Sequence, residues 1–262
     1  MKRVVFNQKG GVGKTSITCN LAAISAARGL RTLVVDLDVQ GNTTHYLVGE
    51  IDADAFPAEA QGAAGLFKQT VGSRKMHQNP DSFVWETPWE NLFLLPSSPV
   101  LTQLERELES RYKIYKLRDA LQKLDAEYDR VYIDTPPNFN FYSKSALIAA
   151  DTVLVPFDCD SFARQSLYSL MDNIAELQED HNPDLAVEGI VINQFNSQAR
   201  LPGELVAELE EEGYPVCATY LSASVKMRES HHEHRPLVDL APSHKLTQQF
   251  LALYDELESG RA

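Results

Sequence analysis

The run RVVFN (3–7) leads directly into KGGVGKTS (9–16), and an apolar helical pattern begins near Lys14. Few arrangements accommodate that order. A strand that ends on a glycine-rich turn and opens a helix aims backbone N–H groups and the positive end of the helix dipole at one point, as a bound phosphate requires. Gly10, Gly11 and Gly13 give the backbone its freedom there. The candidate nucleotide contacts are therefore Gly10, Gly11, Val12, Gly13, Lys14, Thr15 and Ser16. Within that group Lys14 would meet the β- and γ-phosphates, and the Thr15 hydroxyl would ligate Mg²⁺. The phosphate-loop pattern G-x-x-x-x-G-K-T asks for glycine at position 8. Gln8 stands there instead, and a second lysine, Lys9, occupies the mouth of the loop.

The rest of the chain repeats the alternation of strand and helix. Apolar, β-rich runs recur as TLVVDLD (32–38), NLFLLPS (91–97), RVYIDTPP (130–137), DTVLVPF (151–157) and EGIVINQF (188–195). Helical patterns fall between and after them, over 101–124, 141–150, 161–179, 203–212 and 243–258. The first helix carries Ile17, Leu21, Ile24 and Ser25 on one face and ends at Gly29. This order predicts βαβ units, hence an α/β fold with a mostly parallel twisted sheet. Strands this continuously apolar need helices on both faces. Residues 50–90 break the pattern with Pro57, Gly62, Gly65, Gly72, Pro80 and Pro88, and read as a loop-rich insertion with one short helix. The expectation is one domain over 1–262, with no internal repeat.

Composition narrows the function. The net charge is −13, so a surface basic all over for nucleic acid is excluded, and any DNA contact must come from a local patch. No apolar run reaches the roughly 20 residues of a membrane-spanning helix. The first strand starts at once, which leaves no room for a cleaved signal peptide and points to the cytoplasm. Cys19, Cys159 and Cys217 are widely spaced and odd in number, as reduced thiols are, and Cys19 falls where a helix would bury it.

KGGVGKT resembles the deviant Walker A motif of the ParA/MinD class of P-loop ATPases. Three further segments agree. DLDVQGN (36–42) looks like that class's D-x-D-x-Q-G-N motif, YIDTPP (132–137) resembles its Walker B and switch segment, and VLVPFDCDSFARQSL (153–167) is similar to the stretch that follows the next strand. The resemblance implies ATP and Mg²⁺ as ligands and an ATP-dependent homodimer. It gives Lys9 the task of reaching across the dimer interface to the nucleotide of the other subunit, where a cation steadies the transferring phosphoryl group. Lys9, Lys14 and Asp38 then form the catalytic set, with Asp38 orienting or deprotonating the attacking water. Asp134 joins Thr15 at the metal, Asp36 is structural and close to it, and Asn193 matches an adenine-contacting asparagine, its amide able to donate and accept.

The tail TQQFLALYDELESGRA (247–262) sets Asp255, Glu256 and Glu258 against Arg261, the wrong charge for an anionic bilayer, so its apolar stripe is expected on the core rather than on a membrane. Cys159 and Cys217 do not fit the paired cysteines of iron–sulfur relatives, and nothing precedes the first strand to form a helix-turn-helix. What remains resembles the short ParA proteins, which partition chromosomes or plasmids or position cargo. Their ATP dimers bind DNA without sequence preference, and a ParB-like partner or cargo adaptor stimulates hydrolysis. Arg200 matches one of their DNA-contacting positions and Lys226 another, with Arg228 two residues on and Arg235 and Lys245 extending the patch. Glu204, Glu208, Glu210, Glu211 and Glu212 oppose it. The alternative is an ATP-switched scaffold that recruits protein partners and never touches DNA. His231, His232 and His234 lack the carboxylate or cysteine spacing of a metal site, and would instead make a DNA or partner contact pH-sensitive near neutrality.

Overall fold

The computed structural model describes residues 1–49, 61–69, 71, 78–159, 163–195 and 200–260, without the side chains of 163 and 200–202. Parts of the insertion (50–60, 70, 72–77), of the stretch 153–167 (160–162), the residues just before Arg200 (196–199) and the end of the tail with Arg261 (261–262) lie outside the described residues. The strands are β1 (Lys2–Val5), β2 (Thr32–Asp36), β3 (Trp85–Glu86), β4 (Leu92–Leu95), β5 (Arg130–Asp134), β6 (Thr152–Asp158) and β7 (Ala186–Asn193). They form one sheet in the order β3-β4-β2-β5-β1-β6-β7. Every neighbouring pair is parallel except β3 with β4. The mostly parallel α/β architecture read from the sequence is the one observed, with the two-residue antiparallel edge β3 added.

The helices are α1 (Lys14–Ala27), α2 (Asn42–Val48), α3 (Gly62–Lys68), α4 (Val100–Ser110), α5 (Lys116–Lys123), α6 (Phe141–Ala149), α7 (Ala163–Asp180), α8 (Arg200–Glu211), α9 (Val225–His232), α10 (Leu237–Leu240) and α11 (Lys245–Ser259). Because strand side chains alternate between faces, Val4 and Val5 of β1 enter different cores. The Val5 face is covered by α1 and α11, and the Val4 face by α4 to α8. The stripe on α11 is indeed inward: Leu246, Phe250, Leu253 and Leu257 are buried. Cys19, Cys159 and Cys217 form no disulfide, and Cys19 is buried on α1. Among the described residues no helix is long and apolar enough to cross a membrane.

One helical expectation needs correction. The pattern over 101–124 is two helices, not one, because α4 stops at Ser110 and α5 starts at Lys116. Tyr112 takes a left-handed φ of 54°, and the Lys113 N–H closes back on the Leu108 carbonyl at 3.0 Å, a helix-ending turn. The cause is register. Nine residues at about 100° each set Leu117 half a turn from Leu108, so an unbroken helix could not bury both. The chain breaks, and both leucines are fully buried. The sequence reading also passed over the short helices α2, α9 and α10, each too brief to show a period.

A buried ion cluster ties the sheet to its last helix. Arg3 on β1 has no exposed surface. Its Nε and Nη2 donate to the two Glu188 oxygens on β7 at 2.6 and 2.7 Å, and its Nη1 donates to the Tyr132 hydroxyl at 2.9 Å. Glu258 of α11 lies 3.5 Å from the same guanidinium and also takes Arg130 at 2.7 Å. Removing the cation takes from Glu188, mostly buried, its two charge-assisted bonds. Arg3→Ala is therefore expected to lower unfolding stability by about 3–5 kcal/mol in a denaturant titration. A loss below about 1 kcal/mol would show that the cluster does not hold α11 to the sheet.

Candidate functional site

The strand order sets β1, β5 and β2 side by side, so three loops leave the sheet at neighbouring carboxyl ends, where open α/β sheets bind ligands. After β1 comes the glycine loop, with Gly11 at φ 79° and Gly13 at φ 94°, the latter capping α1. The loop is pinned from two sides. Asn193 Nδ2 donates to the Val12 carbonyl at 2.8 Å and Gln194 Nε2 to the Gly11 carbonyl at 3.0 Å, while Asn7 Oδ1 accepts from the Lys9 N–H at 2.9 Å.

Lys14 is buried and folds back, its Nζ donating to the Lys9 carbonyl at 3.0 Å. Burial lowers its pKa, and Asp134 and Asp38 act against that shift. Asp134 closes β5 with no exposed surface, and a single oxygen, Oδ2, accepts from both the Thr15 and the Thr43 hydroxyls at 2.7 Å. Asp36, fully buried at the end of β2, spends its oxygens on the turn, accepting from the Thr44 N–H and hydroxyl and from the Asp38 N–H. Burial pushes both the Asp134 and the Asp36 carboxyls above the ordinary carboxylate range. Asp38 is also buried, and its Oδ1 accepts from the Gln40 N–H at 3.0 Å. Lys9 turns the other way, with its Nζ 3.8 Å from Asp158 at the end of β6.

This donor set fits Mg²⁺ delivered with a phosphate ligand. It offers hydroxyl and carboxylate oxygens, the hard ligands Mg²⁺ takes, and it gathers carboxylates around one ammonium, an excess of negative charge that a dication would relieve. Beside the loop lies a cavity of about 570 Å³, walled by Gly13, Ser16 and Asn193 on one side and Met227, Leu246 and Phe250 on the other. Polar anchors with apolar walls suit a nucleoside.

The structure thus brings Lys9, Lys14, Thr15, Asp38, Asp134 and Asn193 to one end of the sheet. The three cationic candidates for DNA are treated differently. Arg200 starts α8, but its side chain lies outside the described residues. Lys226 is engaged by Glu229 on the same helix, and Arg228 lines the cavity beside the loop. Arg235 pairs with Asp239 at 2.8 Å, whereas Lys245 is exposed. Of the opposing acids, Glu208 and Glu212 are taken by Arg164. His234 Nδ1 meets the His45 carbonyl at 2.8 Å, and among the described residues no cluster of metal-binding side chains is found. Sequence reasoning missed Thr43 and Gln194. Thr43 follows DLDVQGN directly, and its hydroxyl one residue into α2 was the available signal.

Comparison with known proteins gives the chain its relatives. A family model described as an AAA domain matches residues 2–187. The chain is 34% identical to a chromosome partitioning protein ParA of Myxococcus xanthus over 257 residues, covering 97% of this chain and 86% of the relative. It is similar in fold to apo McdA of Cyanothece, with a TM-score of 0.84 at 21% identity and 98% of each chain covered. It also resembles cobyrinic acid a,c-diamide synthase of Mycobacterium smegmatis, solved with an ATP analogue and magnesium, at a TM-score of 0.76 and 29% identity over 88% of this chain and 91% of that one.

The loop geometry makes a prediction of its own. A Cβ at Gly13 would sit 2.2 Å from Asn193 Nδ2 and would be held at a φ that side chains avoid. Gly13→Ala is expected to cost about 1–3 kcal/mol of stability by thermal unfolding. An unchanged melting temperature would mean the loop is not clamped against β7.

Proposed function

The chain belongs to the ParA/MinD class of P-loop ATPases, and we propose that it works as a Mg²⁺-dependent ATPase whose ATP-bound form dimerises and binds DNA without sequence preference. Its task on this reading is to partition a chromosome or plasmid or to position another cargo, in the cytoplasm and on the nucleoid while DNA is bound. The observation that carries the reading is the meeting of the Thr15 and Thr43 hydroxyls on the buried Asp134 carboxylate, within the field of the buried Lys14 ammonium, at the carboxyl ends of β1, β2 and β5.

Residues 10–16 would hold the phosphates, and Thr15 with Asp134 would hold Mg²⁺. A bound Mg²⁺ neutralises charge on the phosphoryl group being transferred. Asp38, on the turn after β2, orients the attacking water, and Asn193 meets the adenine. Lys9 swings away from Asp158 to reach the partner's nucleotide, which makes ATP part of the interface. Hydrolysis is slow until a ParB-like partner or cargo adaptor acts, as for other unassisted P-loop switches.

Arg200 and Lys226 from two subunits would neutralise roughly four phosphates, for a log–log salt slope of about −3.6. A second reading, an ATP-switched protein scaffold without DNA binding, is favoured by the Lys226–Glu229 pair and the net charge of −13. The two separate on binding of the Asp38→Ala protein to non-specific duplex DNA across a salt series. The first reading predicts retention with ATP and not ADP, a slope near that value, and loss in Lys226→Ala. Confirmed dimers that ignore DNA even at low salt would leave the scaffold.

A further inference from the structure

Arg228 and His231 stand three residues apart on α9, hence on one face, and both line the cavity opposite Gly11, Gly13 and Ser16. His231 Nε2 lies 3.0 Å from Ser16 Oγ, one residue beyond the loop threonine. Its ring stands edge-on to Tyr46 of α2, with centroids 4.7 Å apart. Two bonds tie the segment around it to α1 and α2: the Tyr46 hydroxyl bonds Ser230 of α9, and Asn20 of α1 accepts the N–H of Leu237, the first residue of α10, at 2.9 Å. In a chain of net charge −13, no aspartate or glutamate is found among the described residues lining this cavity. A concave site that opens on a phosphate loop, gathers an arginine and a histidine and keeps carboxylates out is matched to an anion.

We propose that Arg228 and His231 are nucleotide-binding residues, contacting the nucleoside end and first phosphate of ATP and ADP alike, an inference that rests on the ATP reading above. Asp38 and Asp134, which serve the terminal phosphate in that reading, do not line this cavity, so the pair does not distinguish the two nucleotides. Arg228 then leaves the DNA patch to Arg200 and Lys226.

Calorimetric titration of ATP and ADP into wild type, Arg228→Ala, His231→Ala, Lys14→Ala and His232→Ala tests this. His232 is exposed and does not line the cavity. Both nucleotides should weaken about tenfold in Arg228→Ala and His231→Ala, the size of a lost hydrogen bond to a charged group. His232→Ala should bind as wild type does. In turnover KM should rise with kcat unchanged, and Arg228→Lys and His231→Gln should each recover part of the loss, which guards against a folding defect. Unchanged affinity in both alanine variants, with binding abolished in Lys14→Ala, would overturn the inference and leave the ATP site standing. Undiminished binding in Lys14→Ala would overturn the site and the inference together.

Discussion

The Asp134 carboxylate is the point on which the rest of the site is built. It sits at the end of β5 without solvent, and one of its oxygens receives a hydroxyl from the helix after β1 and another from the helix after β2. Those two bonds tie α1 and α2 to the sheet at the place where a phosphate loop needs both. They do not settle the charge. Asp36 and Asp38 lie close by, also buried, and Lys14 is the cation that acts on Asp134. Burial pushes Asp36 and Asp134 toward the protonated state, so full ionisation of this group of carboxyls is costly without a further cation. On the proposed function, a dication carried in with a polyphosphate would be that cation.

Topology delivers this cluster, and much of it was legible in the sequence. The strand runs 3–7, 32–38 and 130–137 end in the glycine loop, Asp36 and Asp38, and Asp134, and continuous apolar strands fixed their burial on both faces. What could not be read was which strands would be neighbours. The order β2-β5-β1 is set by crossover packing, and with it the meeting of Thr43 and Thr15 on one carboxylate. Arg3 was hidden for the same reason. A cation at the start of an apolar strand reads as a surface residue until Glu188 and Glu258, far along the chain, close over it. The break within 101–124 was legible in principle, because Leu108 and Leu117 are out of helical register, although each half alone scores as helix.

The region after β7 shows the limit of matching by position. Lys226 and Arg228 sit two residues apart in a segment aligned with basic DNA contacts, yet on an eight-residue helix such neighbours point apart. One is engaged by Glu229, the other faces the cavity beside the loop. The histidines that had no metal spacing turn out to be joints: His231 to Ser16 of α1, and His234 to the α2 backbone. A segment that reads as a charged surface in one dimension is, in three, one wall of the cavity beside the glycine loop.

On the proposed function, nucleotide and dimer are one interaction, completed by Lys9. In the single chain Lys9 rests 3.8 Å from Asp158, so its reach to a second subunit has to be drawn out by phosphates. Light scattering on Asp38→Ala and on the double variant Lys9→Ala/Asp38→Ala, each with saturating ATP and Mg²⁺ and with ADP, measures this directly. The account predicts a dimer of the first protein with ATP alone and a monomer of the second that still binds ATP. A stable ATP dimer formed without Lys9 would contradict it.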